Sequence, residues 1–134
     1  MADVIAEFLG DGECTVEFEE EKMELVSGKV AEPGHVTPYH LFLAGILACV
    51  TMNAGHALEK AGIDAEVTAE VTGEKDWDRL AVTEIEITIK VKLKDDTDPD
   101  EARKIAEKGA DRCILSRTLG PAIVSKEVVV ERES

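Results

Sequence analysis

The chain has 134 residues, of which 44% are hydrophobic and 33% charged, and 29 acidic against 15 basic side chains give a net charge of −14 at neutral pH. This length suits one domain able to bury roughly two-thirds of its unfolded surface, and the apolar content excludes a fully disordered chain. The acidic balance argues against nucleic acid and anionic membrane as partners, since both select for Lys and Arg.

The opening MADVIAEFLG has no basic segment of a secretory signal, so a cytoplasmic protein is expected. Residues 2–9 read as a strand ending at the Asp11-Gly12 turn signal. Cys14, Val16 and Phe18 then alternate with Thr15, Glu17 and Glu19, which predicts a half-buried second strand with Cys14 inward. Met23 and Leu25 begin a third strand that stops at Ser27-Gly28. The residues around Pro33-Gly34 form a loop.

Thr37-Pro38 predicts a helix start, with a capping hydroxyl followed by proline in the first turn. The helix runs to Gly62, a rod of roughly 36 Å. Between Leu41 and Met52 only Thr51 is polar. Such a helix needs burial on all sides, and a membrane span would need roughly 20 apolar residues. Asn53 and His56 interrupt this run, so a central core helix is expected. One sheet covers only one side of it. A second copy of the chain is therefore expected on the other, as a homodimer.

Ala65, Val67, Ala69 and Val71 alternate with polar residues, as do Ile85, Ile87, Ile89, Val91 and Leu93. These stretches predict a long hairpin with one face on a helix. Asp98-Pro99 with Glu101 opens a second helix. Ala102, Ile105, Ala106, Gly109 and Ala110 give it a narrow face of small side chains, and RCILSRTLG leads to a stop at Gly120-Pro121. Val124 to Val130 form a last strand. The fold class is α+β, in the order β-β-β-α-β-β-α-β with antiparallel sheets.

No hydrolase elbow, phosphate loop or dinucleotide fingerprint occurs. A metal site from His35, His40, His56 and the cysteines is disfavoured: His40 and Cys49 face opposite ways on a helix, and Cys49 and His56 stand about 10 Å apart along its axis. The many carboxylates fall on polar strand faces. Three widely spaced cysteines make neither a disulfide framework nor a zinc knuckle. Cys14 is assigned to the core. Cys49 is either a small core residue or a reactive thiol, and a partnership with Cys113 requires their Cα atoms within about 7 Å, which spacing leaves open.

TPYHLFLAGILACVTMNAGHALEKAGI resembles the central-helix signature of the OsmC/Ohr family of thiol-dependent peroxidases, with Pro38 and Cys49 in register. EARKIAEKGADRCILSRTL, followed by a Val-rich strand, is similar to the family's second-cysteine segment, which Cys113, Ser116, Thr118 and Leu119 fit. The resemblance covers nearly the whole chain as a single domain, 1–134. It implies an intertwined homodimer with active sites at the subunit interface. It also implies that Cys49 reacts with an organic hydroperoxide and that Cys113 resolves the product as a disulfide. A dithiol reductant then restores both thiols, with no metal, haem or flavin. The pattern departs in two places: Tyr39 stands where the family places a Glu after the helix-start proline, and no Arg precedes Arg79. Tyr39, His56, Arg112 and Arg117 are the candidate substitutes for the missing activating groups. Two other readings remain open: thiol chemistry on another substrate, and a non-catalytic dimer that binds an apolar ligand or senses oxidants.

Overall fold

The computed structural model describes residues 4–133. It divides into two compact units that meet inside the long helix, at Ala44 and Gly45. The first unit is a three-stranded antiparallel meander, β1 (Ile5–Gly10), β2 (Glu13–Phe18) and β3 (Glu21–Val26), followed by a loop. Residues 2 and 3 of the expected first strand lie outside the described residues. The β1–β2 turn needs three left-handed residues in a row, Gly10 (φ 93), Asp11 (φ 52) and Gly12 (φ 78), which glycine and aspartate adopt at least cost. A Cβ on Gly12 would also lie 2.9 Å from a Val30 methyl, so this corner is closed by the loop after β3. Cys14 pairs across from Phe8 and Leu25, and its thiol is directed at the Thr15 carbonyl at 3.4 Å.

Helix α1 (Pro38–Lys60) starts in this unit. Thr37 caps it as expected: its Oγ1 accepts from the His40 amide at 3.2 Å, and His40 Nδ1 accepts from the Thr37 amide at 3.2 Å. The reciprocal pair is a capping box with histidine in the place of the usual Glu or Gln. The two polar residues in the middle of α1 turn back on the helix: Thr51 Oγ1 donates to the Leu47 carbonyl at 2.7 Å and Asn53 Nδ2 to the Cys49 carbonyl at 2.8 Å.

The second unit holds the rest of α1, strands β4 (Ala65–Asp76) and β5 (Ala81–Leu93), helices α2 (Pro99–Ala110) and α3 (Ile114–Leu119), and strand β6 (Val124–Arg132). Its sheet has the order β4-β5-β6, with β5 in the centre. Ile85, Ile87, Ile89, Val91 and Leu93 alternate into the core, as their period of two requires. The β4–β5 pairing is antiparallel, with Val67 opposite Val91. One pairing corrects the expectation of antiparallel sheets: β6 runs parallel to β5, with Val128 opposite Ile89. Two helices intervene between these strands, and such a crossover carries the chain back to the end from which it started. The RCILSRTLG segment, expected only to lead from α2 to a stop at Gly120-Pro121, folds as the short helix α3 and does stop at Gly120.

Ala102, Ala106 and Ala110 of α2 are fully buried. Asp98 occupies the N-cap of α2, but its side chain makes no capping bond. Gly109 is where α2 meets α1 most closely: a Cβ there would stand 2.6 Å from both the Asn53 carbonyl oxygen and the Ala57 Cβ. Along α1, Leu43, Ile46, Val50, Ala54 and Leu58 form one buried stripe, whereas Phe42 and Met52 are exposed at 42% and 67%. Burial on all sides is therefore not achieved within one chain.

Candidate functional site

The second unit brings Cys49 and Cys113 together, although they are far apart in sequence. Cys49 sits mid-way along α1, on the side turned toward the start of α3. Cys113 is the residue immediately before α3, in extended backbone, and it serves as that helix's N-cap through its sulfur: the Ser116 amide donates to Cys113 Sγ at 3.4 Å. A thiol in place of the usual hydroxyl or carboxylate caps a helix only weakly when protonated, and better when ionised. All three cysteines are free thiols, with Cys113 fully buried and Cys49 half-buried.

The two sulfurs interact directly and perturb each other in opposite directions. Burial pushes the Cys49 thiol up from its ordinary value, and its hydrogen bond to Cys113 and the nearby charge on that sulfur add to this, against the pull of the Leu115 and Ile114 amides. Burial acts upward on Cys113 as well. It is outweighed there by the hydrogen bond from Cys49, by the Ser116 amide and side chain, and by the Leu115 amide, so that the Cys113 thiol lies below its ordinary value. Of the two sulfurs, Cys113 is the one whose surroundings favour ionisation.

Asn53, one turn beyond Cys49, points its Nδ2 at Cys49 Sγ at 3.6 Å, a long contact, while bonding the Cys49 carbonyl. It also lines an open groove of about 220 Å³ with His56, Ala57, Lys60, Gly109 and Arg112. Ser116, buried behind Cys113, donates its hydroxyl to the Cys113 carbonyl at 3.3 Å and accepts from Lys126 at 3.3 Å.

The candidate activating residues fall elsewhere. His56 and Arg112 line the groove rather than the sulfurs. Arg117 points back, its Nη1 donating to the Asp111 carbonyl at 3.3 Å. Tyr39 is half-buried in the first turn of α1, about 15 Å of helix rise before Cys49. The groups that act most strongly on the thiols are the opposite sulfur, which the family resemblance named, and backbone amides at the start of α3, which leave no signature in residue type. Asn53 was discoverable, since four residues on from Cys49 is one helical turn. Lys126 was not, because nothing in the alternation of β6 distinguishes it from a surface lysine. His35 and His40 are committed to backbone amides, at 3.0 Å from Glu32 and 3.2 Å from Thr37. Among the described residues, no group of three His, Cys, Asp or Glu is placed to hold a metal ion.

A family model of OsmC-like proteins matches residues 31–127, a span that includes both cysteines of the pair. The chain belongs to the OsmC-like protein family. It is 30% identical over 129 residues to an uncharacterized protein of Methanocaldococcus jannaschii, a match that covers 96% of this chain and 68% of that one. Solved structures agree on the fold. An OsmC-like protein from Mycoplasma pneumoniae superposes with a TM-score of 0.79 at 18% identity, over 98% of this chain and 96% of that one. The organic hydroperoxide resistance protein OhrB of Bacillus subtilis gives 0.67 at 23% identity, over 98% of each chain. One from Elizabethkingia anophelis gives 0.70 at 19% identity, over 99% and 98%. At these identities the likeness is one of fold, and it bears out the α+β OsmC-like architecture. Helix α1 is long and apolar enough to cross a membrane by length and composition alone. In the OsmC-like fold it is the core helix, not a membrane span.

Proposed function

We propose that this OsmC-like chain reduces organic hydroperoxides with Cys49 and Cys113 as a redox pair. The observation that carries the reading is the direct interaction of the two free thiols at the start of α3. Cys49 is the sulfur a peroxide meets first, since Cys113 is fully buried. Cys49 gives its proton to solvent and, as the thiolate, attacks the distal peroxide oxygen. The O–O bond breaks, and the alkoxide leaves as an alcohol after taking a proton from solvent. Cys49 is now a sulfenic acid. Cys113 then attacks the Cys49 sulfur, an S–S bond forms, and water leaves. A small dithiol reduces the disulfide by two exchange steps and is itself oxidised to a disulfide. The family's Arg and Glu, which stabilise the reactive thiolate, have no counterpart at the matching positions here, and in this scheme the Leu115 and Ile114 amides take that part.

The whole chain acts as one domain and as a homodimer in the cytoplasm. The exposed stripe of α1 around Phe42 and Met52 supports a second copy, because an apolar helix face of this kind gains by leaving water.

The test is one equivalent of cumene hydroperoxide added to reduced protein, followed by disulfide mapping and by turnover with dihydrolipoic acid. A rapid Cys49–Cys113 bond and catalytic peroxide loss, both abolished by Cys49→Ser, are expected. A disulfide without turnover would instead indicate an oxidant sensor. Slow, unselective oxidation would overturn the reading.

A further inference from the structure

Lys126 of β6 differs from the other lysines in its burial and its partners. Its side chain is only 17% exposed, and its ammonium lies 3.0 Å from Asp111 Oδ1, 3.3 Å from Ser116 Oγ and 3.5 Å from the Ala110 carbonyl oxygen. An ammonium has three N–H donors, and all three are matched. By contrast Lys90 pairs with Glu70 at the surface, where both side chains are more than half exposed. The acceptors of Lys126 span the junction of α2 and α3: Ala110 ends α2, Asp111 lies in the turn and Ser116 is in the first turn of α3, with Cys113 between them. Ser116 is the link: its Oγ accepts from Lys126, its hydroxyl donates to the Cys113 carbonyl at 3.3 Å, and its amide donates to Cys113 Sγ at 3.4 Å.

We propose that Lys126 is a positioning residue for the redox pair, clamping residues 110–116 so that the Ser116 amide and hydroxyl stay on Cys113 and the Cys113 sulfur stays on Cys49. The proposal rests on the reading of Cys49 and Cys113 as a redox pair. The charged and titratable groups around Cys113 fit the assignment. Cys49 faces it from α1, and Lys126 stands behind Ser116 on β6. The Asp111 carboxylate, 68% exposed, is tied to Lys126 and open to solvent, and Arg117 of α3 is turned to the Asp111 carbonyl. Lys126 is thus the charged group that reaches the turn from inside. In the condensation step the Cys113 sulfur must be ionised as it attacks the sulfenic acid. Hydroxide leaves Cys49 and takes up a proton to become water. A clamp that holds donors on Cys113 favours that ionised sulfur and its reach.

The experiment has two arms. In the first, Cys14→Ser and Cys49→Ser leave Cys113 as the one thiol, and its ionisation is followed by ultraviolet thiolate absorbance. Lys126→Met is expected to raise the midpoint by about half a pH unit, and Lys126→Arg to restore it. In the second, the three native cysteines are kept and disulfide formation with cumene hydroperoxide is timed across pH. Lys126→Met is expected to slow it about threefold at neutral pH, and the deficit should close as pH rises above the Cys113 midpoint. A merely structural role would leave the deficit equal at every pH. Lys126→Gln, which keeps a donor on a shorter stem, replaces Met if the latter unfolds. An unmoved midpoint, or a pH-independent loss, overturns the proposal. If the native chain forms no disulfide at all, the redox reading fails, and the first arm still decides the clamp.

Discussion

Gly109→Ala tests the packing that sets the distance between the two thiols. In an exposed helix this substitution stabilises by roughly 1 kcal/mol, because alanine is the better helix former. Here the added Cβ would meet the Asn53 carbonyl oxygen and the Ala57 Cβ at 2.6 Å each, and the Ala54 Cα at 3.3 Å. Ordinary contact between carbons is about 3.5–4.0 Å, so α2 must retreat from α1 by about 1 Å. Two of the atoms in the way are backbone, which cannot rotate aside. Overpacking of this kind costs about 1–3 kcal/mol, and the propensity gain offsets only part of it. The net expectation is destabilisation by about 1–2 kcal/mol, visible as a fall in Tm of about 3–8 °C at fixed protein concentration. Because Cys113 lies four residues after Gly109, just past the end of α2, the same retreat draws Cys113 away from Cys49. Peroxide-induced disulfide formation should slow more than the loss of folded protein accounts for. Thermal unfolding by circular dichroism and quenched mass spectrometry read the two effects separately. A Gly109→Ala protein that is more stable than the parent and cross-links at the same rate would refute the close approach.

Other outcomes follow from the same contacts. Asn53→Leu removes the amide that holds the Cys49 carbonyl and reaches its sulfur, and should slow Cys49 oxidation by about three- to tenfold with little change in Cys14 reactivity, measured by sulfenic acid trapping. Cys49→Ala deprives Cys113 of its S–H donor, so the Cys113 midpoint should rise. Cys113→Ala frees Cys49 of that hydrogen bond and of the nearby charge, so the Cys49 midpoint should fall. Thiolate absorbance against pH reads both, and a shift of the opposite sign in either would contradict the coupling of the two thiols. Met52→Glu places a charge on the exposed stripe of α1 and should break the proposed dimer, so that the variant sediments as a monomer in analytical ultracentrifugation with its circular dichroism unchanged.

Much of this architecture was legible in the sequence because its patterns are strongly periodic. The run from Ile85 to Leu93 announces a strand by strict alternation, and Thr37-Pro38 announces α1 by cap chemistry. The direction of β6 was not legible, since residue pattern records which face of a strand is buried and not which way its neighbour runs. The short helix α3 escaped notice because six residues are too few to show a helical period. At the site, the two cysteines were legible through family resemblance, whereas their spacing alone left the partnership open. Arg112, Arg117 and His56 are the cationic side chains the sequence offers for activating Cys49, and none of them faces the sulfurs. The polarity around the sulfurs comes instead from main-chain amides at the start of α3 and from Ser116, which charge-based reasoning does not weigh.

The parallel placement of β6 has a consequence for synthesis. Strand β5, whose inward residues are all buried, gains one neighbour at once through the β4–β5 hairpin. Its other edge stays open until both helices and then β6 have emerged from the ribosome. During that interval the nascent chain displays an aliphatic strand with unsatisfied main-chain groups, a template for pairing with the wrong chain. Cells making this protein must therefore shield that border, or finish the last strand faster than neighbouring copies can find it.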